Sequence, residues 1–349
     1  MQQGALFALL SALLFGVSAP LAKELLGSID PWLLAGLLYL GSGLGLSVAV
    51  AVRRLIGGAR KAEAPLVGHD WLWLGGAIGF GGVLGPVLLM LGLALTPAAT
   101  ASLLLNLEGV LTALLAWFWF HENFDRRIFI GMMAIVGGAA ILSWPDSVSL
   151  SGIEGPLLVA AGCFAWAIDN NLTRKVSLSD PLQIAALKGL VAGITNVVLA
   201  LAFGISLPSL PSIAAAALLG LFAYGISLVL FVRALREIGT ARTSAYYSIA
   251  PFAGALVALP LLGEAMTPQL IAAGALMALG VWLHLSETHN HEHRHDVLAH
   301  EHRHTHDVHH AHHHGATAPA GEPHSHAHVH EAQIHAHAHY PDAHHRHRH

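Results

Sequence analysis

The residues able to do chemistry in this chain fall into two groups with opposite settings. The first is a handful of polar side chains inside apolar sequence. Glu108 lies midway along the apolar stretch 97–120, and Lys188 about a third of the way along 181–203. Asp169, Asn170 and Asn171 sit near the end of 155–173, Asn106 and Asn196 lie within other stretches, and Tyr246 and Tyr247 open 243–262. A charge inside a membrane helix costs about 2.5–3.5 kcal/mol on insertion scales, so it faces the interior or a water-filled cavity and is a functional candidate. Glu108 reads as a proton-coupling or cation-binding carboxylate, or else as a protonated acid bonded to a neighbouring helix. Lys188 pairs with Glu108 or an anionic substrate group, or snorkels to the nearer interface. Asp169, Asn170 and Asn171 line a cavity or close a helix end. Asn106 and Asn196 suit interhelical hydrogen bonds better than substrate contacts. Tyr246 and Tyr247 are interface anchors, or one of them faces a cavity. Glu122 and Glu264, at the ends of apolar stretches, fit capping or bracing.

The second group is a histidine-rich tail. Of the 27 His, 24 lie between His289 and His349, many spaced His-x-His. The candidate metal ligands are His289, His291, His293, His295, His300, His302, His304, His306, His312, His313, His314, His324, His326, His328, His330, His335, His337 and His339. Neutral imidazole suits Zn, Ni, Co and Cu, and the spacing lets two rings of a flexible chain reach one ion. Ligation needs deprotonated rings, so it weakens below about pH 6.5. The tail is a metal buffer or sensor coupled to the activity of the apolar part, a pH-dependent charged segment, or a passive scavenger. It lacks apolar periodicity and cannot bury a core, so it is expected to be disordered without a ligand.

The elements that must position the first group are membrane helices. Of 349 residues, 54% are hydrophobic and only 11% charged, with a mean hydropathy of +0.59; a soluble domain is nearer a quarter charged. A spanning helix needs about 20 mostly apolar residues. Ten stretches qualify: 4–26, 31–52, 71–95, 97–120, 128–142, 155–173, 181–203, 213–235, 243–262 and 268–285. Open sheets could not satisfy their backbone in lipid. Eleven basic residues (Arg53, Arg54, Arg60, Lys61, Arg126, Arg127, Arg174, Lys175, Arg233, Arg236 and Arg242) fall on one side of the resulting alternation, and only Lys23 on the other. The positive-inside rule then puts both termini in the cytoplasm, and a bacterial inner membrane is the expected location. The single cysteine, Cys163, excludes an internal disulfide and any Cys-based metal site. No GxxxxGK[ST] loop is present, which excludes an ATP-driven pump within the chain, and nothing in the charge balance points to nucleic acid. Neither Ser-x-x-Lys nor His-Glu-x-x-His occurs, so an intramembrane enzyme is not indicated.

An internal repeat underlies the ten stretches. At an offset of 142 residues Ser102 meets Ser244, Leu107 meets Ile249, Ala113 meets Ala255 and Glu122 meets Glu264. At 151, Gly4 meets Gly155 and Lys23 meets Arg174, and Asp30-Pro31 matches Asp180-Pro181 one residue out of step. Five helices per unit is odd, so the second unit enters from the other face. The result is an all-α membrane protein of two inverted five-helix repeats, 1–145 and 146–286, with the tail 287–349. Pro20, Pro86 and Pro251 are expected to kink their helices, and 36 Gly allow close packing. The residues 98–104, 107–110, Glu122, Gly131 and Gly137-Gly138, with their second copies at 240–244, Ala250-Pro251, Gly263-Glu264, Gly274 and Gly280, resemble the EamA-type repeat of the drug/metabolite transporter superfamily. Gly109 departs from the proline common there. The resemblance covers about residues 4 to 285 and implies ten helices around a central cavity that moves a metabolite, amino acid or drug, usually outward, with no required cofactor. Two readings of the cargo follow: a small metabolite or drug-like compound in secondary active transport, or a divalent metal ion, with a non-transporting membrane metal sensor as a third. The lipid bilayer is the expected partner; a homodimer is compatible with the sequence.

Overall fold

The computed structural model describes residues 2–56, 66, 68–120, 126–144, 152–176, 180–285, 290–295, 298–304, 324–330 and 333–338. Glu122, Arg60 and Lys61 lie outside the described residues, as do the side chains of Arg174, Arg236, Arg242 and everything after residue 283.

Ten helical spans make up the bundle. Span 1 is Gln2–Gly16 with Ser18–Leu25, span 2 is Pro31–Ile56, and span 3 is Asp70–Ala77, Ile78–Leu84 and Gly85–Leu95. Span 4 is Ala98–Leu104 with Leu107–Phe120, span 5 is Arg126–Ser143, span 6 is Glu154–Val176, and span 7 is Pro181–Ala202. Span 8 begins as Leu210–Gly220 and Leu221–Ile226, and the helix Ser227–Tyr247 carries its end together with the start of span 9. Span 9 continues as Ala250–Leu262, and span 10 is Pro268–Leu285. Six of these, Gln3–Leu25, Pro31–Arg53, Asp70–Leu95, Ala98–Leu115, Leu182–Ala202 and Leu210–Ala234, are long and apolar enough to cross a membrane by length and composition. Phe129–Ser143, Ala250–Leu262 and Pro268–Leu283 are shorter apolar helices. Span 6 completes the ten, its apolar run diluted by Glu154, Asp169, Arg174 and Lys175. Residues 236–242 keep helical backbone, but Ser227–Tyr247 is not one straight rod: Phe231 and Tyr247 lie 4.8 Å apart between ring centroids, where a straight helix would hold them about 24 Å apart, so the chain reverses between them at the expected connection.

Both copies of the Asp-Pro pair start a helix in the same way. Asp30 accepts from Trp32 N (2.8 Å) and Leu33 N (3.4 Å) at the start of span 2, and Asp180 accepts from Leu182 N (3.0 Å) at the start of span 7. In each case the carboxylate meets amides that have no helical acceptor, and the proline supplies a preset φ at the first helical position.

Span 2 packs along span 7 and span 5 along span 10, while span 1 lies against spans 8 and 9 and span 6 against spans 3 and 4. Exchanging 1 with 6, 2 with 7, 3 with 8, 4 with 9 and 5 with 10 leaves that pattern unchanged, as two inverted repeats require. The same symmetry holds within helices. The π-helical segment Ile78–Leu84 of span 3 recurs in span 8 as Leu221–Ile226, and the interruption of span 4 at 105–106 recurs in span 9 at 248–249. Prolines follow three of the interruptions: Pro20 after the turn at Val17, Pro86 after the first π segment, and Pro251 after 248–249. Proline has no N–H and crowds the carbonyl four residues back, so the regular ladder yields just upstream.

Small residues let these helices touch backbone to backbone. A side chain at Gly43 would meet the backbone of Gly189 and Leu190, one at Gly193 that of Leu40, and one at Gly220 that of Leu38. One large core, including Leu33, Leu34, Leu38, Met90, Leu93, Leu104 and Ala258, fills the half of the bundle away from the termini, called the outer half below. In the tail, Asn290–His295 pairs antiparallel with Gln333–Ala338 and Leu298–His304 with His324–His330, as two separate two-stranded ribbons. Such ribbons are marginal alone in water, and they add no layer to the bundle.

Replacing Gly43 by Leu is expected to destabilise the detergent-solubilised protein by about 1–3 kcal/mol through overpacking. Gly75→Leu, where nothing lies within 4 Å, should change stability by no more than about 0.5 kcal/mol. Thermal unfolding of both variants checks the contrast.

Candidate functional site

The interruptions release backbone groups near the middle of the bundle, and side chains collect there to satisfy them. In span 3 the π segment exposes the Gly81 carbonyl, which accepts from Tyr39 OH (2.9 Å) and from Trp166 Nε1 (2.9 Å). Asn196 Nδ2 donates to the next carbonyls, Gly82 O (3.2 Å) and Val83 O (3.4 Å). In span 4, Asn106 Nδ2 returns to Leu103 O (2.9 Å) across the break. Glu108 thereby falls in the first turn of Leu107–Phe120, where the helix dipole favours negative charge.

A cavity of about 760 Å³ lies between these elements, in the half of the bundle on the side of the termini. Its floor is aromatic. Phe15 packs edge-on against Tyr224 (5.8 Å between centroids) and also meets Tyr247, Tyr39 lies 5.5 Å from Tyr224, and Phe231 lies 4.8 Å from Tyr247. Its charged lining is Glu108, Asp169 and Lys188. Lys188 Nζ donates to Asp169 Oδ2 in a close ion pair that is largely buried on both sides, and Thr173 Oγ1 donates to the other Asp169 oxygen (2.9 Å). Glu108 Oε1 accepts from Asn170 Nδ2 (2.8 Å), and the same nitrogen reaches Thr112 Oγ1 (3.3 Å). Among the described residues Glu108 makes no ion pair. Among the described residues the cavity is lined by two carboxyl groups and one ammonium, and the ammonium is paired with Asp169.

The structure brings Glu108, Lys188, Asp169, Asn170 and Asn106 into the lining of one cavity. The alternative pairing of Lys188 with Glu108 is replaced by pairing with Asp169, one residue before Asn170 on span 6. Asn196 is fully buried behind the wall on span 3 carbonyls and does not line the cavity. Tyr246 is 38% exposed and also absent from the lining; Tyr247 takes the inward position, because successive helical residues point about 100° apart. Sequence reading passed over Tyr39, Trp166, Tyr224 and Ser227, whose types are ordinary in membrane helices. Ser227 exchanges hydrogen bonds with Ser11, each hydroxyl reaching the other's carbonyl (2.7 and 3.0 Å). The only sequence signal for the aromatic wall was the density of Tyr near interruptions. The side chains of the eighteen tail histidines proposed as metal ligands lie outside the described residues, and among the described ones no group of three His, Cys, Asp or Glu is poised for a metal.

The architecture matches known transporters over almost all of the bundle. The model of the EamA-like transporter family matches residues 2–144 and 153–286, one repeat each. An uncharacterized transporter of Methanothermobacter thermautotrophicus is 29% identical over 286 residues, covering 78% of this chain and 83% of its own. The uncharacterized transporter YyaM of Bacillus subtilis is 24% identical, with 76% and 88% covered. A solved protein structure with 22% identity superposes with a TM-score of 0.58 over 80% of this chain and 95% of its own, and shows the shared fold. The two sequence relatives are named as transporters rather than enzymes. The chain is a multi-pass membrane protein that belongs to the EamA-like transporter family.

Proposed function

We propose that this protein is a secondary active transporter that exports a small metabolite or drug-like compound from the cytoplasm, using Glu108 as the group that exchanges a proton for cargo. The observation that carries the reading is the asymmetry inside the cavity. Lys188 is neutralised by Asp169, while among the described residues Glu108 faces the same space bonded to the neutral amide of Asn170 and in no ion pair. An uncompensated carboxylate in low-dielectric surroundings is costly, so a proton or a cationic group of the cargo relieves it. The two occupants exclude one another, and that exclusion is what couples their movements. A volume of about 760 Å³ is within the range of small-molecule sites, and the aromatic floor suits an apolar or planar cargo body. Both termini are placed in the cytoplasm on the strength of the basic loops, with the protein in the bacterial inner membrane. The lack of gathered metal ligands among the described residues favours an organic cargo over a metal ion. The tail is then a metal-binding appendage near the mouth of the cavity rather than part of the pathway.

Glu108→Gln is expected to abolish transport driven by a pH gradient in proteoliposomes and to flatten the pH dependence of residual exchange, with the protein still folded. Full pH-driven transport in that variant would overturn coupling through Glu108. Removal of residues 287–349 should cut Zn(II) bound by purified protein at pH 7.5 by about tenfold or more, and in the intact protein acidification to pH 5.5 should release it, because protonated imidazole cannot ligate. Elemental analysis after desalting reads both.

A further inference from the structure

The outer face holds a charged contact that the cavity does not use. Lys23, at the end of span 1, donates from Nζ to three carbonyls, Leu93 O (2.5 Å), Ala94 O (3.0 Å) and Thr96 O (3.0 Å), where span 3 ends. Glu264, just past span 9, accepts from Ala98 N (2.5 Å) and Ala99 N (2.8 Å), where span 4 begins. One cation sits on a helix C-terminus and one anion on the adjoining N-terminus, each on the end whose dipole it complements. Charge-assisted bonds of this kind are about twice as strong as neutral ones.

The helices they join matter more than the bonds themselves. Lys23 and Glu264 belong to the group of spans 1, 8 and 9, and the reversal at 93–99 belongs to the group of spans 3, 4 and 6. The repeat symmetry interchanges these two groups. They meet in the outer half, where Ala98–Leu104 packs on Ala250–Leu262 within the large core, and they part in the other half around the cavity. The molecule is therefore closed on its outer face and hollow on the side of the termini.

We propose that Lys23 and Glu264 are the outer gate of the transport cycle: they clamp the 93–99 reversal while the cavity is open on the side of the termini, and they must release it before cargo can leave by the opposite face. The gate rests on the transporter reading but not on Glu108 or on the nature of the cargo. Sequence equivalence puts Arg174 and Glu122 in the matching places of the other repeat; their side chains lie outside the described residues, and the proposal stands on Lys23 and Glu264.

The test is thiol accessibility in the full-length protein, which needs no substrate. Cys163, the only native cysteine, is changed to Ala, and Ala258→Cys places a reporter at a fully buried site of span 9 in the outer half. Vesicles sorted by orientation receive a membrane-impermeant methanethiosulfonate on the face opposite the termini. Lys23→Met and Glu264→Ala are each expected to raise the labelling rate about tenfold, as a shift of population towards an outward-open state requires. A second reporter, Ser248→Cys in the cavity lining, labelled from the side of the termini, shows that the variant is folded. An unchanged Ala258→Cys rate with Ser248→Cys still reactive overturns the gate. If both variants fail to fold, Lys23→Arg decides: its charge is kept but its planar head fits three convergent carbonyls poorly, so an intermediate rise supports the gate and a rate equal to the parent overturns it. Proton coupling through Glu108 can fail while this result holds, and the reverse is equally true.

Discussion

Everything in this bundle depends on one constraint: no water is available in the hydrocarbon region to take up a backbone group that a helix lets go. A regular helix avoids the problem, but a transporter needs irregular backbone to build a cavity. Here each irregularity for which partners are described is matched by a side chain. The π segment of span 3 gives its freed carbonyls to Tyr39, Trp166 and Asn196. The break in span 4 is closed by Asn106, and the reversal at 93–99 by Lys23 and Glu264. The polar residues that first read as a functional list are thus of two kinds. Some satisfy the backbone and thereby hold the cavity open, and others face into it.

The second kind obeys a charge argument. A buried ion pair is weak evidence for stability, but removing one partner leaves an uncompensated charge and is strongly destabilising. Lys188 and Asp169 therefore behave as a unit, and Thr173 on the same helix turn steadies the carboxylate. Glu108 stands apart from that unit. It sits at the start of a half-helix, beside a neutral amide, in a space wide enough for an occupant. Of the three described charges that line the cavity it is the one in no described ion pair.

The repeat turns these local facts into a machine with two faces. Packing between helices is conserved under the exchange of one half with the other, so the contacts closing one face have sequence counterparts facing the other way. The glycine contacts of span 2 with spans 7 and 8 form the close-packed spine, and the groups of spans 1, 8, 9 and 3, 4, 6 flank it. Tight small-residue packing favours motion of whole groups over bending of single helices, because close-packed interfaces have discrete arrangements rather than continuous ones.

The amino-acid sequence alone determined the helical membrane class, the ten apolar stretches and the repeat at 142 residues, and it singled out Glu108, Lys188, Asp169 and Asn170, which line the cavity. Those are readable because lipid imposes composition and length directly, and because a charge among apolar residues is costly enough to need a reason. It did not determine that Lys188 pairs with Asp169 rather than Glu108, that Tyr247 and not Tyr246 faces inward, that Asn196 serves the backbone, or that Tyr39 and Trp166 share one carbonyl. Nor did it show that Lys23, set apart in sequence from the eleven basic residues of the other side, meets the end of span 3 in the same contact where Glu264 meets the start of span 4. Each of these turns on the rotation of one helix about its axis and on where another helix breaks. Helix rotation is set by packing between residues dozens to hundreds of positions apart, and only the tertiary structure brings those residues together.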